Sequence, residues 1–532
     1  MLETSYSNRF YWFAVGWLLL LFAGSLYSPP TLISDPGIGF LDMINFAEGG
    51  RFQYHRTPSI EDLNTCVEMR TTWWSPGQWF FVYVFTLTGL SLSTAISITV
   101  LVASWIGLIG WMKLYRYFQF NKRVVFYAGL LILFSRYLFS AFQLYPGGSI
   151  LEFAAAPWLL LLWLKLERES IWLQAICLLP LLIISYFIKS SMLIFWLGVI
   201  GSNLSLFSLR KIPWLRLMAL GLVFVAGKYF CDLLFTGGGA TPFSYAGNWI
   251  NWREGDLLLL LQRLLFLLAA PLTAVIGVDD YINYFLQKPG HVLFKDGHPV
   301  MVGIYVVLIA FFGLLIRRFV KKAQLLPDRY RDLLVAVTGV FLAFFLYSFL
   351  SGKQINGYEE SRHFRLAGLL LLPFVIHYAE QKAGRYFLMI PALMFVYAGV
   401  SYFQKVKSPK VVSEKYGVAL SSPKSQADYA VFQTEAKKSD LVYVIHSSLI
   451  YDLDQCKAIY YQDDFASLDM IRSRNKTYVT DKTILFLFPE RFAVNGKRDA
   501  VLANFIASNS LRKPDTEVKQ LNGWELVRVV YY

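Results

Sequence analysis

Charged side chains that could carry out transfer chemistry are concentrated in a few polar stretches of a very apolar chain. The longest, residues 28–76, contains six carboxylates interleaved with basic residues such as His55 and Arg70, and it closes with Trp73-Trp74. A connector between two apolar segments needs far fewer residues. The length and charge of this stretch predict chemistry at a membrane surface.

Asp35 is the strongest candidate for a catalytic carboxylate in this stretch. It lies in Ser34-Asp35-Pro36-Gly37, soon after the first apolar segment. Pro and Gly favour a turn, which would hold the carboxylate near the membrane surface. The alternative is an Asp that only caps a helix beginning near Ile38. The two roles are compatible.

Two further ionisable residues stand at the ends of apolar segments. Glu152 follows Tyr145-Pro146-Gly147-Gly148 at the start of one segment, and Lys189 lies between two others beside Ser190-Ser191. An ionisable group at such a place is costly unless it is paired or hydrated. Glu152 is therefore either functional or a structural partner. Lys189 either binds a phosphate or extends its ammonium group to the interface.

The densest late cluster of charge leads directly into an apolar segment. It comprises Lys353, Glu359, Glu360, Arg362, His363 and Arg365. Guanidinium groups bind phosphate oxygens with two charge-assisted hydrogen bonds. The alternative is an interfacial anchor belt. Because these cations are predicted to face outward, against the usual distribution of basic residues, the pattern favours anion binding.

The aromatic and histidine candidates of the first loop carry weaker signals. Trp73 and Trp74 are typical of an interfacial aromatic belt, although such rings also stack on sugars and prenyl chains. His55 is a lone histidine. We include all three as candidate substrate-binding residues.

The composition indicates a polytopic membrane protein. Of the 532 residues, 56% are hydrophobic and only 16% are charged, whereas soluble domains carry about a quarter charged residues. Apolar runs of about 20 residues recur, as expected for helices that cross a bilayer. The net charge of +14 is explained by basic cytoplasmic loops, which argues against a nucleic-acid partner.

Placing the basic loops on one side predicts about eleven transmembrane helices, with a cytoplasmic N-terminus and an outer C-terminus. The predicted spans are 11–27, 78–111, 124–140, 149–165, 171–188, 192–208, 213–235, 299–317, 332–350, 364–379 and 385–402. Residues 256–287 are predicted to form re-entrant or interfacial helices on the outer side. The predicted outer loops are 28–76, 141–149, 236–298 and 351–363.

The composition changes after residue 402. Strand-like runs at Leu441–Ile445, Thr483–Phe488 and Trp524–Val530 alternate with helix-like stretches. Residues 403–532 are therefore predicted to form a small extracytoplasmic α/β domain, and residues 1–402 the transmembrane domain. A Cys66–Cys456 disulfide would form if both residues face an oxidising compartment, but the sequence does not require it.

Several common chemistries lack their sequence patterns here. Neither a dinucleotide-binding nor a P-loop pattern occurs between a strand and a helix. The chain contains no HExxH pattern and no paired Cys/His ligand set, which disfavours a zinc hydrolase. It also contains no nucleophile-elbow pattern of a serine hydrolase. Carboxylates and cations at the outer ends of membrane helices remain.

These features together resemble the GT-C superfamily of integral-membrane glycosyltransferases. The likeness rests on Asp35 in a long first outer loop, Glu152 near the second outer loop, Arg362-His363 before a span that contains Pro373, and an outer C-terminal domain. It covers most of residues 1–402. Ser34-Asp35-Pro36 stands where better-known members have paired acids, which leaves the subfamily and metal use open.

The resemblance implies an enzyme of a bacterial inner membrane that takes a sugar from a polyprenyl phosphate or diphosphate carrier. Asp35 would be the general base and Glu152 would assist it. The carrier phosphate would be neutralised by Arg70, Lys189, Arg362 and Arg365, with Lys353, Glu360 and His363 as further substrate-binding residues. A divalent metal, Mg²⁺ or Mn²⁺, on Asp35 and Glu152 stays an open option. The acceptor would be a glycan, a lipid or a protein.

Three other functions compete with this one. A transporter or flippase of lipid-linked sugars predicts internal repeats and charges near the bilayer midplane. The sequence shows no clear repeat, and its charges cluster at one face. A non-catalytic scaffold for envelope assembly would tolerate loss of Asp35 and of the Arg362 cluster. A polysaccharide polymerase or ligase would use the same lipid-linked donor.

Overall fold

The structure is a computed structural model of the chain, and it divides the chain into two compact units. The first unit comprises Met1–Leu20, Leu101–Ala141 and Gly148–Tyr402, and the second comprises Leu21–Val100, Phe142–Gly147 and Phe403–Tyr532. The structure describes residues 2–32, 34–59, 63–71, 75–203, 214–236, isolated positions within 265–321, 326–350, 363–420, 425–444, 446–460, 482–490, 492, 496–509 and 515–530.

Helices make up most of the described chain. The helices are α1 Leu2–Tyr27, α2 Ser34–Ala47, α3 Gly77–Thr86, α4 Leu92–Tyr117, α5 Lys122–Leu133, α6 Arg136–Phe139, α7 Gly148–Leu166, α8 Ile171–Ile188, α9 Met192–Gly201, α10 Trp214–Thr236, α11 Asp328–Leu350, α12 Arg365–Ala383, α13 Met389–Lys407, α14 Gln426–Lys438 and α15 Lys497–Asn509. The strands are β1 Thr31–Leu32, β2 Tyr54–Pro58, β3 Cys66–Arg70, β4 Leu144–Tyr145, β5 Leu441–Val444, β6 Ala458–Tyr460, β7 Thr483–Pro489, β8 Asp515–Leu521 and β9 Trp524–Val530.

The prediction of a multi-pass membrane protein is confirmed. Within the described residues, seven helices are long and apolar enough to cross a membrane, or eight if one bent pair forms a single span. That pair, α5 with the helical segment Arg136–Phe142, bends by 49°. All seven overlap predicted spans. Most of the predicted span 299–317 and nearly all of the segment 256–287 lie outside the described residues.

Two predicted spans differ from the helices that are observed. The predicted span 78–111 is two helices, α3 and α4, because the turn Leu87-Thr88-Gly89 interrupts it, with Gly89 at φ +84°. The Ser91 hydroxyl then accepts a hydrogen bond from the Thr94 amide at the start of α4. Helix α9 has only ten described residues, so the full length predicted for 192–208 is not observed.

Helices α4 and α7 of the first unit pack closely because two glycines leave room between them. A Cβ atom on Gly107 would overlap the ring of Phe153, and one on Gly110 would lie 2.6 Å from Trp158 Nε1. The indole Nε1 of Trp111 donates a hydrogen bond to the Phe153 carbonyl over 3.1 Å. The part of α7 that bears Glu152 is therefore fixed against α4.

Helix α12 contains Pro373, and two buried tyrosines satisfy the carbonyl groups beside it. A proline inside a helix has no N–H to donate to the carbonyl four residues earlier, which here is that of Leu369. The Tyr115 hydroxyl donates to this carbonyl over 2.7 Å. The Tyr330 hydroxyl donates to the next carbonyl, that of Leu370, over 2.6 Å. These bonds compensate the interrupted helix and fix α12 against α4 and α11.

In the second unit, the first loop folds into α2 and a β-hairpin. The hairpin is linked covalently to the part of this unit that comprises Phe403–Tyr532, which we call the C-terminal segment. Strands β2 and β3 pair antiparallel, with His55 opposite Met69 and Pro58 opposite Cys66. A disulfide joins Cys66 to Cys456, and their Cα atoms are 5.0 Å apart. The sequence left this pairing open. The bridge closes a separation of 390 residues.

The C-terminal segment contains a five-stranded mixed sheet with the order β6-β5-β7-β9-β8. Strand β5 is parallel to β6 and β7, whereas β9 is antiparallel to β7 and β8. The three predicted strand runs are confirmed as β5, β7 and β9. Strand β8 lacked an apolar pattern because it is an edge strand whose side chains are almost all exposed. The predicted domain boundary at residue 402 stays a prediction.

Lys410 is a half-buried cation of the second unit, just after α13. Its ammonium group donates to the Pro29 carbonyl over 2.7 Å and to Gln143 Oε1 over 2.9 Å. Burial lowers the pKa of Lys410 to about 8, and the nearby charge of Lys405 acts in the same direction. The lysine thus anchors the start of the C-terminal segment to the chain that follows α1.

Candidate functional site

The buried Glu152 forms an ion pair with the half-buried Lys189 in the first unit. Glu152 lies in the second turn of α7 and is 3% exposed. The Lys189 ammonium lies 2.6 Å from its Oε2 atom, and the Ser191 hydroxyl donates to Oε1 over 3.4 Å. Both carboxylate oxygens therefore have partners. The sequence left open whether Lys189 extends to the interface, and the structure instead pairs it with Glu152.

The backbone around Lys189 is shaped by a close approach of two segments. Helix α8 ends at Ile188, and Lys189 follows with an extended backbone. A Cβ atom on Gly148 would lie 2.7 Å from the Ile188 carbonyl oxygen and 3.3 Å from Lys189 Cβ. Because only glycine leaves this space, Gly148 allows the start of α7 to approach Lys189.

Arg365 is the second cation of this cluster and opens helix α12. It is 4% exposed. Its guanidinium carbon lies 4.5 Å from the centroid of the Phe153 ring and 5.3 Å from that of Tyr137. Nη1 donates to the Ser149 carbonyl over 3.4 Å. Within the described residues, no carboxylate oxygen lies within 4 Å of the guanidinium, although Glu152 is close enough to attract it electrostatically.

The resulting group of Glu152, Lys189 and Arg365, which we call the charged cluster, carries one negative and two positive charges. Its formal charge is therefore +1. Burial raises the free-energy cost of an uncompensated charge, so an anion that enters such a site replaces lost hydration with direct contacts. The arrangement is suited to a phosphate, because Arg and Lys donate charge-assisted hydrogen bonds to its oxygens.

His363 lies next to this cluster in sequence and contacts an aromatic side chain. Its ring centroid is 5.6 Å from that of Phe345 on α11, and the residue is half-buried. The other members of the late cluster of charge lie outside the described residues: Lys353, Glu359, Glu360 and Arg362. Of the late cluster of charge, the structure therefore describes only His363 and Arg365.

The first-loop candidates belong to the second unit. Asp35 lies in the first turn of α2, and its side chain is outside the described residues, as are Trp73 and Trp74. Arg70 ends β3, with its guanidinium carbon 5.9 Å from the Tyr54 ring centroid. The predicted role of Asp35 as the base and that of Arg70 in phosphate binding stay predictions.

His55 is buried in a polar network that the sequence did not reveal. Its Nδ1 atom lies 3.0 Å from Asp42 Oδ1 and 3.1 Å from Thr71 Oγ1, and the Thr71 hydroxyl donates to Asp42 Oδ1 over 2.8 Å. Burial raises the pKa of Asp42, and the hydrogen bond and charge of His55 oppose this shift. The signal in the sequence that could have indicated this network is Asp42, an ionisable residue among the apolar residues of helix α2.

The described neighbours of Glu152 do not supply further ligands for a divalent metal. A metal site gathers several carboxylate or imidazole ligands, whereas the described neighbours of Glu152 are two cations and a serine. In the part of the chain that the structure describes, no three His, Cys, Asp or Glu side chains are grouped for metal binding. Because the Asp35 side chain lies outside the described residues, the option of a metal held by Asp35 and Glu152 stays a prediction.

Comparisons with known proteins returned structural matches alone. No family model matches the chain, and no curated protein matches it. Among solved structures, the chain is similar to ArnT from Cupriavidus metallidurans bound to undecaprenyl phosphate, at 14% identity and a TM-score of 0.47, and to the same protein in the apo state, at 12% identity and a TM-score of 0.40. Each match covers 99% of this chain and 98% of the other. At this low identity and TM-score the similarity does not assign a function to this chain.

Proposed function

We propose that the protein is a membrane glycosyltransferase that moves a sugar from a polyprenyl phosphate or diphosphate carrier to an acceptor at the outer face of a bacterial inner membrane. The observation that carries the proposal is the charged cluster, in which the buried Arg365 and the half-buried Lys189 exceed the one carboxylate in charge. It lies where apolar helices α7 and α12 begin and α8 ends. A ligand with a prenyl tail and a phosphate head matches apolar helices with a cationic site at their ends.

The proposed reaction is a single displacement at the anomeric carbon of the sugar. The acceptor hydroxyl attacks this carbon, the bond to the carrier phosphate breaks, and the anomeric configuration inverts. The hydroxyl proton passes to a carboxylate, for which we propose Asp35 from its position after the first span. The electron pair of the broken bond leaves on the phosphate, so the leaving group needs little protonation.

In this proposal, Lys189 and Arg365 stabilise the negative charge on the departing phosphate. Glu152 holds the Lys189 ammonium through the 2.6 Å contact, and Phe153 stacks against the Arg365 guanidinium. Both cations are fixed by neighbours before a ligand arrives, which lowers the cost of ordering them on binding. The earlier assignment of Glu152 as a second catalytic carboxylate stays a prediction.

The disulfide supports the proposed location. Disulfides persist in oxidising compartments such as the bacterial periplasm and are rare in the cytosol. A bond between Cys66 in the first loop and Cys456 in the C-terminal segment therefore favours an outer position for both. This is the side on which the basic-loop pattern predicts them.

A binding measurement tests the phosphate site. The purified protein in nanodiscs would be titrated with polyprenyl phosphate and with the matching uncharged polyprenol. We expect binding of the phosphate to exceed that of the alcohol, and the Arg365→Gln substitution to reduce the difference. Arg123→Gln is the matched control, since Arg123 pairs with Glu380 over 3.0 Å about 22 Å along α12 from Arg365.

A transfer assay tests the reaction itself. Protein in nanodiscs with radiolabelled polyprenyl-phosphate sugars and an extract of envelope lipids and glycans should move the label to a product other than the carrier. Asp35→Asn should abolish this transfer while leaving carrier binding intact. If the label instead crosses the bilayer still attached to its carrier, the protein is a flippase. Full transfer by a folded Asp35→Asn protein would refute the assignment of the base.

A further inference from the structure

The N-terminal part of helix α2 packs directly on the C-terminal segment. The Tyr451 hydroxyl donates a hydrogen bond to the Gly37 carbonyl over 2.8 Å. Both residues are buried, and Tyr451 is 2% exposed. Gly37 lies two residues after Asp35, within one helical turn of it. A side chain from the end of the chain thus contacts the turn that carries the proposed base.

The approach of these two segments is too close for any side chain at position 37. A Cβ atom there would overlap the hydroxyl oxygen of Ser447 and lie 3.2 Å from that of Tyr451. Ser447 is completely buried, so it has little room to move. The glycine therefore sets the distance between α2 and the 3-10 helix Ser447–Ile450.

Two further bonds hold Tyr451 in this position. Five residues later in the chain, Cys456 forms the disulfide with Cys66. Beside it, Gln455 Oε1 accepts a hydrogen bond from the Arg56 backbone amide over 3.1 Å. The hairpin of the first loop is thereby fixed to the segment that bears Tyr451.

We propose that Tyr451 is a positioning residue of the transferase, and that the C-terminal segment sets the position of the first turn of α2, which bears Asp35, through the contact with Gly37. The inference rests on the proposed function, in which Asp35 is the base. The physical reason is that proton transfer requires a base within hydrogen-bond distance of the attacking hydroxyl. A displacement of about 1 Å can reduce a rate by about 100-fold.

The test compares two buried tyrosines of the same segment in the full-length protein. Tyr451→Phe removes the bond to Gly37. Tyr429→Phe is the matched control, because its hydroxyl donates over 2.7 Å to Asp452 within the C-terminal segment. Asp452 keeps other donors, including the Ser413 hydroxyl and the Lys415 amide, so the control should leave Tyr451 in place.

The first readout is hydrogen exchange of peptides that cover α2, which does not depend on activity. We expect Tyr451→Phe to speed exchange in the first two turns of α2 and Tyr429→Phe to leave it unchanged. Gly37→Ala is a second variant that forces the same segments apart, and it should act like Tyr451→Phe. Unchanged exchange in both variants would overturn the inference.

The second readout is transfer kinetics. We expect Tyr451→Phe to lower kcat by about 10-fold or more and to change KM for the lipid-linked donor by less than about 2-fold. Full kcat in Tyr451→Phe, alongside an inactive Asp35→Asn protein, would overturn the inference and leave the proposed function standing. Faster exchange in a protein that transfers no sugar would refute the proposed function and leave the role of Tyr451 in placing α2 supported.

Discussion

Replacing one member of the Glu152–Lys189 pair should destabilise the protein much more than replacing both. The two groups lie 2.6 Å apart, which at an effective dielectric constant of about 20 corresponds to about 6 kcal/mol of attraction. The cost of removing both ions from water offsets most of this. Glu152→Gln leaves the half-buried Lys189 ammonium without its counter-ion. Lys189→Met leaves the buried Glu152 carboxylate without its counter-ion. Each single substitution should cost about 3–5 kcal/mol.

The double variant Glu152→Gln/Lys189→Met removes both charges and should lie within about 2 kcal/mol of the wild type. The assay is the free energy of unfolding of the purified protein in detergent, measured for all four members of the cycle. Arg123→Gln breaks an exposed pair and should cost no more than about 1 kcal/mol. Additive costs of the two single substitutions, or single costs below about 1 kcal/mol, would refute the reasoning.

The same cycle separates the structural role of Lys189 from its proposed binding role. A charge-assisted hydrogen bond contributes about 1.5–3 kcal/mol, so loss of the Lys189 ammonium should weaken polyprenyl phosphate binding about 10- to 150-fold. The double variant should therefore recover stability without recovering affinity. Recovery of both would show that Lys189 acts only as the counter-ion of Glu152.

Three further predictions concern the supports of the site and of the C-terminal segment. Tyr115→Phe should cost about 1 kcal/mol in unfolding free energy. The cost should be smaller in a Pro373→Ala background, because the new backbone N–H of residue 373 can donate to the Leu369 carbonyl. An equal cost in both backgrounds would contradict the proposed role of Tyr115 in α12. Gly148→Ala should weaken carrier binding, because the new Cβ atom would press on the backbone before Lys189. Gly201→Ala introduces a Cβ atom into open space and should leave binding unchanged. Titration with polyprenyl phosphate compares the two variants, and equal effects would refute the prediction. Burial lowers the pKa of Lys410 from 10.5 to about 8, so between these pH values the unfolded state binds more protons than the folded state. This group therefore makes the unfolding free energy rise with pH across that window. Lys410→Met should lose that rise, and identical pH profiles of the unfolding free energy for the two proteins would contradict the prediction.

The membrane class and the positions of most spans could be predicted because long apolar runs report their environment directly. Glu152, Lys189 and Arg365 could be selected because each is an ionisable residue at the end of such a run. Their grouping could not be predicted, since it depends on the close approach that Gly148 allows and on the packing of α12. The break at Gly89 was missed because apolar residues continue on both sides of it.

The contacts within the second unit were the least predictable from sequence. The partners of His55, Asp42 and Thr71, are 13 and 16 residues away and are brought together only when the hairpin folds on α2. Tyr451 and Gly37 are separated by 414 residues. No local pattern reports such a pair, because hydrophobic periodicity carries information about faces of elements and not about which faces meet.

The most direct test of the central claim is an experimental structure of the protein in nanodiscs with polyprenyl phosphate bound. The account predicts that the lipid phosphate lies within hydrogen-bond distance of the Lys189 ammonium and the Arg365 guanidinium, with the prenyl chain along apolar helices. A phosphate bound elsewhere, with the charged cluster unchanged and unliganded, would contradict it.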